Sequence, residues 1–209
     1  MANPERVTTD EELAQMGRRT LDVLQEKIAA GDRPAAAKLA ERMHSEFQGM
    51  HDLYRDWVTD LLGFIGERYG DAALAEALDK GVNRYTARFR PRYQGKDARR
   101  RLQMLAAGLR GHLEAFEIQE APNEFVISMT TCGSGGRLVR DGGYDGPDAF
   151  AKIAQPQPMT FGRADFPVYC AHCHYQNQAP VGPNGEPLMV TEPAQQLGVE
   201  PCIMRVKKY

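Results

Sequence analysis

The sequence predicts an α+β protein, with a helical N-terminal half packed on a small β-rich, cysteine-containing C-terminal half. Three observations predict it. Apolar residues recur at helical spacing up to about residue 117 and at strand spacing beyond it. Most of the 13 prolines and all 4 cysteines lie past that point. Acids and bases balance before it, so the formal charge of -2 arises after it. The expected organisation is a helical bundle over 1–117 and a β-rich region with a metal or thiol site over 118–209.

Each element has a local reason. Thr8 and Thr9 both stand three residues before a glutamate, Glu11 and Glu12, the spacing at which hydroxyl and carboxylate cap a helix start. A first helix should run from there to Gly31-Asp32. A second should start at Pro34, a good first-turn residue, and reach Tyr69 before Gly70, with Gly49 as a potential interruption. Leu53, Trp57, Leu61, Phe64 and Ile65 form its expected core face. A third helix is expected over Asp71 to Phe89, stopped by Pro91. A fourth should span Lys96 to Phe116, with Leu102, Leu105, Leu109, Leu113 and Phe116 on one side. The period then shortens. Phe125 to Met129 reads as a strand leading into the glycine-rich loop Thr130 to Gly136, and Leu188 to Thr191 and Ile203 to Val206 read as further strands. Val181 to Gly185 carries turn residues.

Composition narrows the function classes. The 42% hydrophobic content excludes a chain disordered throughout. The near-neutral charge argues against a dedicated nucleic-acid binder. No apolar run reaches the ~18–20 residues of a membrane span, and the first residues carry acids and no apolar stretch of secretory type. A cytoplasmic protein is therefore expected. Its expected partner is a small-molecule substrate, with self-association left open. Four cysteines in a reducing compartment point to metal or thiol chemistry before disulfides.

The most informative stretch is Cys170-Ala171-His172-Cys173-His174. Its C-x-x-C spacing lets two thiolates from one turn reach the same ion. Cys132 and Cys202 stand far off in the chain, each beside an expected strand, so Cys132, Cys170, Cys173 and Cys202 form the expected metal set. Zinc is the first candidate, and iron or an iron–sulfur cluster the alternative. Four thiolates would close a structural site, whereas replacing one by His172 or His174 would leave room for water or substrate. The same residues fit the C-x-x-C-H pattern of covalent haem attachment, which requires export. Cys132, on a turn rich in backbone N–H groups, has a separate reading as a nucleophile with its own oxyanion hole, but no base stands near it in sequence.

His44 and His51 share a helix face. His51, beside Asp52 and Asp56, has a reading as a general base. Glu41 and His44 have the Glu-x-x-His spacing of di-iron bundles, without the second copy that chemistry needs. Bases crowd Arg84 to Arg101, with Tyr85, Phe89 and Tyr93 interleaved. That segment reads as a solvated helical surface, with an anion site as the functional alternative. Trp57 is expected in the core.

The C-terminal residues Met189-Val190-Thr191-Glu192 and Gln196 to Val206, with a glycine turn at Gly198 and Cys202 leading the final strand, resemble the closing pattern of the L-2-amino-thiazoline-4-carboxylic acid hydrolase family. The resemblance covers about the last 80 residues. Cys132, Cys170 and Cys202 are the matching cysteines. Cys173 is additional, and His174 stands where an aspartate is expected. The resemblance implies hydrolytic opening of a small heterocycle or related C–N bond. The function expected is that of a metal-dependent hydrolase acting on a small, potentially anionic molecule, with metal-bound water as the nucleophile and His172 or His174 as ligand or proton carrier. The rivals are a non-catalytic metal-stapled sensor or partner-binding module and an iron-based redox protein.

Overall fold

The computed structural model describes residues 7–182 and 184–208. It is α+β, with helices in the N-terminal half and a four-stranded antiparallel sheet built from the C-terminal half. Its backbone forms two compact units, Met1–Asp52 and Leu53–Tyr209.

The first unit holds α1 (Asp10–Met16), α2 (Thr20–Ala29) and the opening turns of α3 (Arg33–Tyr69). Thr9 is the cap of α1: its hydroxyl accepts from the Glu12 N–H at 3.1 Å, and the Glu12 carboxylate accepts from the Thr9 N–H at 2.7 Å. The single helix expected up to Gly31 is two helices, because the chain turns at Gly17, whose N–H bonds back to Leu13 and Gln15. Buried Thr20 donates to the Glu46 carboxylate at 2.7 Å and so ties α2 to α3. Gly49 leaves α3 continuous.

In the second unit, α4 (Asp71–Tyr93) follows Gly70, whose φ of +82° turns the chain after α3. Pro91 does not stop α4. It lies in the last turn, where the helix loses one N–H bond and still closes at Tyr93. Helix α5 (Ala98–Gly111) is capped by Asp97, which accepts from the Arg100 N–H at 2.7 Å. It ends earlier than the pattern predicts. Leu113 adopts a φ of +61°, and Phe116 lies in a strand, β1 (Ala115–Glu120).

The sheet order is β1-β2-β6-β5, with β2 at Glu124–Thr131, β5 at Val190–Glu192 and β6 at Cys202–Lys207. Phe125, Ile127 and Met129 of β2 alternate inward and pair with Val206, Met204 and Cys202. Leu105 and Leu109 of α5 pack on that face. A second core joins Leu74 and Leu78 of α4 to Ile153, Met159, Val168 and Ala171, and Ile65 of α3 packs against it. The remaining elements are α6 (Gly135–Arg140), a two-stranded ribbon of β3 (Lys152–Ile153) and β4 (Phe166–Pro167), and α7 (His172–Gln176). In the expected turn over 181–185, Pro183 lies outside the described residues.

The expected core face of α3 is a correction. Leu53, Trp57, Leu61 and Phe64 are all about half exposed, and Trp57 is 58% exposed. The buried positions of α3 are Arg55, Thr59 and Gly63. At Gly63 a Cβ would stand 3.0 Å from the Ala151 Cβ, so close packing selects a small residue on that side. No helix among the described residues is long and apolar enough to cross a membrane.

Candidate active site

The second unit encloses a cavity of about 250 Å³. The end of β2, the start of β6, α4, α5 and the turn before α7 all contribute to its wall, and Cys132, Cys170, Cys173 and Cys202 all line it. None of the four is in a disulfide. His172, His112, Glu114 and Thr191 are among the polar residues of the same lining.

Cys132 is placed by the sharp turn after β2. Its carbonyl accepts from the Arg137 N–H at 2.9 Å, while the Arg137 guanidinium donates to the Gly133 carbonyl at 2.9 Å. The turn is tight enough to require glycine. A Cβ on Gly133 would meet the His112 carbonyl at 1.9 Å, and one on Gly135 would meet the Cys170 sulfur at 2.7 Å. The Cys132 thiol donates to Glu114 Oε1 at 3.8 Å, and the N–H groups of Gly136 and Ser134 also face its sulfur.

Cys170 lies in the 3-10 turn Val168–Ala171, and Cys173 in the first turn of α7. Between them, His172 Nδ1 lies 2.5 Å from the Tyr169 carbonyl. A carbonyl only accepts, so Nδ1 carries the proton and Nε2 keeps its lone pair. Nε2 stands 3.7 Å from the Cys173 sulfur. Cys202 enters at the start of β6, where its sulfur accepts from the Ala194 N–H at 3.4 Å.

Burial sets the charge state of these groups. Desolvation, helped by nearby Glu114, pushes the thiols of Cys132 and Cys173 up to about 12. It also raises those of Cys170 and Cys202, and lowers His172 despite its bond to the Tyr169 carbonyl. The resting cavity therefore holds neutral thiols and a neutral imidazole at neutral pH. Glu114 is the group poised between states: burial lifts it to about 7, partly opposed by its bond to Cys132.

Two polar atoms of the wall are left over. Glu114 Oε2 and Thr191 Oγ1 are buried without a hydrogen-bond partner. Thr191 is held by Asn177, which donates to its carbonyl at 2.8 Å and accepts from its N–H at 2.7 Å. Leaving such atoms unpaired costs roughly 1–3 kcal/mol each, which a ligand with matching polar groups recovers.

Comparison with protein-family models, curated proteins and solved structures finds no match. The reading therefore rests on the chain itself. The five sequence-nominated residues Cys132, Cys170, Cys173, Cys202 and His172 line the cavity. His174 does not: its Nε2 lies 2.8 Å from Gln178 Nε2, and its ring meets Phe161 edge-on. His51 also lies elsewhere, with Nδ1 3.0 Å from Asp52 on α3. Among the described residues, no three His, Cys, Asp or Glu side chains stand close enough to hold a metal ion as placed. Glu114 and His112 are wall residues to which the sequence assigns no role, and Thr191 enters the wall from the C-terminal motif. Tyr85, Phe89 and Tyr93 turn out to be wall residues too, but no lysine or arginine is among the described lining residues.

Proposed function

We propose that the chain is an enzyme that binds a small, uncharged molecule in the thiol-lined cavity and hydrolyses it with the help of a metal ion, zinc first, held by cavity thiolates. The observation that carries this is the meeting of four cysteines, from chain positions as far apart as 132 and 202, at one cavity wall. A single nucleophile accounts for one buried thiol, not four. The aromatic and aliphatic lining favours an apolar body on the substrate, and Glu114 Oε2 and Thr191 Oγ1 supply the polar contacts that orient it. The absence of cationic side chains from the described lining turns the expectation from an anion to a neutral molecule.

Zinc held by three of the thiolates would keep a fourth position for a water and would lower its pKa towards neutrality. Glu114, near half-ionised at pH 7, is placed to take a proton, and the Nε2 lone pair of His172, which now faces the Cys173 thiol at 3.7 Å, would be free for a metal or a substrate N–H once that thiol is deprotonated. Cys132, Cys170, Cys173 and Cys202 are the residues from which the ion would be held. C–N bond hydrolysis is the reaction class that the C-terminal resemblance implies, with a neutral molecule in place of that family's carboxylate.

A second reading has its own observation. The approach of Cys132 to Glu114, with two N–H groups at the sulfur, is a nucleophile with a carboxylate base and needs no metal. Zinc titration of chelator-treated protein at pH 7 separates the two. The metal reading expects about one equivalent bound. It also expects protection of the thiols from a disulfide reagent and release of protons, because the free thiols are neutral, with affinity rising with pH. Cys132→Ser and Cys202→Ser should both weaken zinc binding. A protein that binds neither zinc nor iron, keeps its thiols reactive and tolerates Cys202→Ser but not Cys132→Ser overturns the metal reading in favour of the cysteine nucleophile. Visible absorbance of the isolated protein would assign the site to iron instead.

A further inference from the structure

We propose that α3 pairs with the same helix of a second copy of this chain. Apolar side chains follow one another at alternating spacings of four and three, from Met43 through Phe47, Met50, Tyr54, Trp57 and Leu61 to Phe64. This 3.5-residue repeat is the seam of a coiled coil, which keeps one stripe facing a neighbouring helix over several turns. Every residue of the stripe is between 38% and 58% exposed. Leu53 and Val58, 60% and 45% exposed, widen it at the middle.

The stripe faces the wrong way for a helix that serves only its own core. The fully buried residues of α3 are Arg55, Thr59 and Gly63, with Leu62 and Ile65 half-buried against the second core. A surface helix ordinarily buries its apolar stripe; α3 turns Leu62 and Ile65 to the second core but leaves its largest apolar side chains outside it. The exposed stripe amounts to something on the order of 900 Å² of apolar side chain per copy, against the ~800 Å² per partner of a stable interface. Tyr54 and Trp57, stacked with ring centroids 6.3 Å apart, form the central ridge, and such residues dominate interface energetics.

The same residues select the occupant. A heptad seam fits a helix with the same repeat, and a two-fold axis lets this stripe meet itself. A membrane surface fits poorly. Membrane-surface helices ring their apolar face with lysine and arginine. Between Met43 and Gly66 the only such residue is buried Arg55, whereas Glu46, Asp52, Asp56 and Asp60 are acids.

Sedimentation velocity of the full chain at micromolar concentration, read together with tryptophan fluorescence, tests this. Trp57 is the only tryptophan, so its emission reports the seam directly. The expected result is twice the chain mass with blue-shifted emission, both reverting together on dilution. The Trp57→Asp/Leu61→Asp double variant should run at the chain mass with an unchanged far-UV spectrum. Met50→Lys, a milder change on the same stripe that keeps Trp57, should weaken the dimer several-fold. A wild-type monomer at high micromolar concentration with water-exposed emission overturns the proposal, as does an unchanged dimer mass in both variants. A monomer whose emission shifts only on adding phosphatidylcholine/phosphatidylglycerol vesicles assigns the stripe to a membrane and overturns it too.

Discussion

Glu114 shows how one buried carboxyl couples stability to pH. Its pKa in the folded chain is about 7, against 4.5 for a free glutamate. Between those values the folded protein keeps the proton while the unfolded chain has released it. Folding stability from this group is therefore greatest below pH 4.5, declines as pH rises towards 7, and is flat above. His172, held below its ordinary value, acts in the opposite sense at the acid end. The difference between wild type and Glu114→Gln reports Glu114 together with its charge interaction with His172. Urea melts of the metal-free proteins at pH 5 and pH 8 should show the wild type losing on the order of 2 kcal/mol more than the variant over that interval. The neighbouring turn gives a second test at this scale. Gly133→Ala places a methyl group against the His112 carbonyl and must push apart the turn that positions Cys132. It should cost about 2–3 kcal/mol in a denaturant melt and alter the rate at which Cys132 reacts with a thiol reagent.

At the scale of elements, the parts legible in the sequence were those whose period and punctuation agreed. The cap at Thr9, the length of α3, the core strand β2 and the closing strand β6 all followed from local pattern, and they are where the structure has them. The misreadings share a cause: tertiary context reversed a local preference. Phe116 continues the apolar face of α5 in sequence, but the chain turns at Leu113 and uses Phe116 in β1. Losing β1 also hid Glu114. The antiparallel pairing of β1 with β2 places Ala115 opposite Thr131, which brings Glu114 beside Cys132; read as helix, that segment offered no such neighbour. Trp57 reads as core because a helix usually buries its most apolar face, but the part of α3 that packs inward is centred on Thr59, Leu62, Gly63 and Ile65 and leaves Trp57 exposed. Pro91 is the clearest case. Sequence reasoning stops α4 there, but the helix carries it in its last turn. Since Pro91 is exposed and removes a helix hydrogen bond, Pro91→Ala should restore the bond and stabilise the chain by about 1 kcal/mol, less what the unfolded state gains in freedom. A shift of the urea midpoint at constant slope would register it; a fall in stability would mean that the proline is needed to shape the connection to α5.

For the molecule as a whole, cysteine positions were the most informative feature, because thiols brought together from distant segments imply a shared site whatever the path between them. The helical pattern before residue 53 carries none of that chemistry. Every described residue of the cavity wall falls between Tyr85 and Met204, within the second compact unit, and both larger cores lie in that unit as well. Its folding draws on the α5–sheet packing of Leu105, Leu109, Ile127 and Met204 and on the Leu74–Leu78 cluster. A chain beginning at Leu53 should therefore fold and keep the thiol chemistry of the full protein. Its zinc stoichiometry and proton release should match the full chain, with affinity within a few-fold. Paired calorimetric titrations of the two chains would show it. A fragment that melts cooperatively but has lost zinc uptake would mean that residues 1–52 organise the site, and the division of labour between the two units would have to be redrawn.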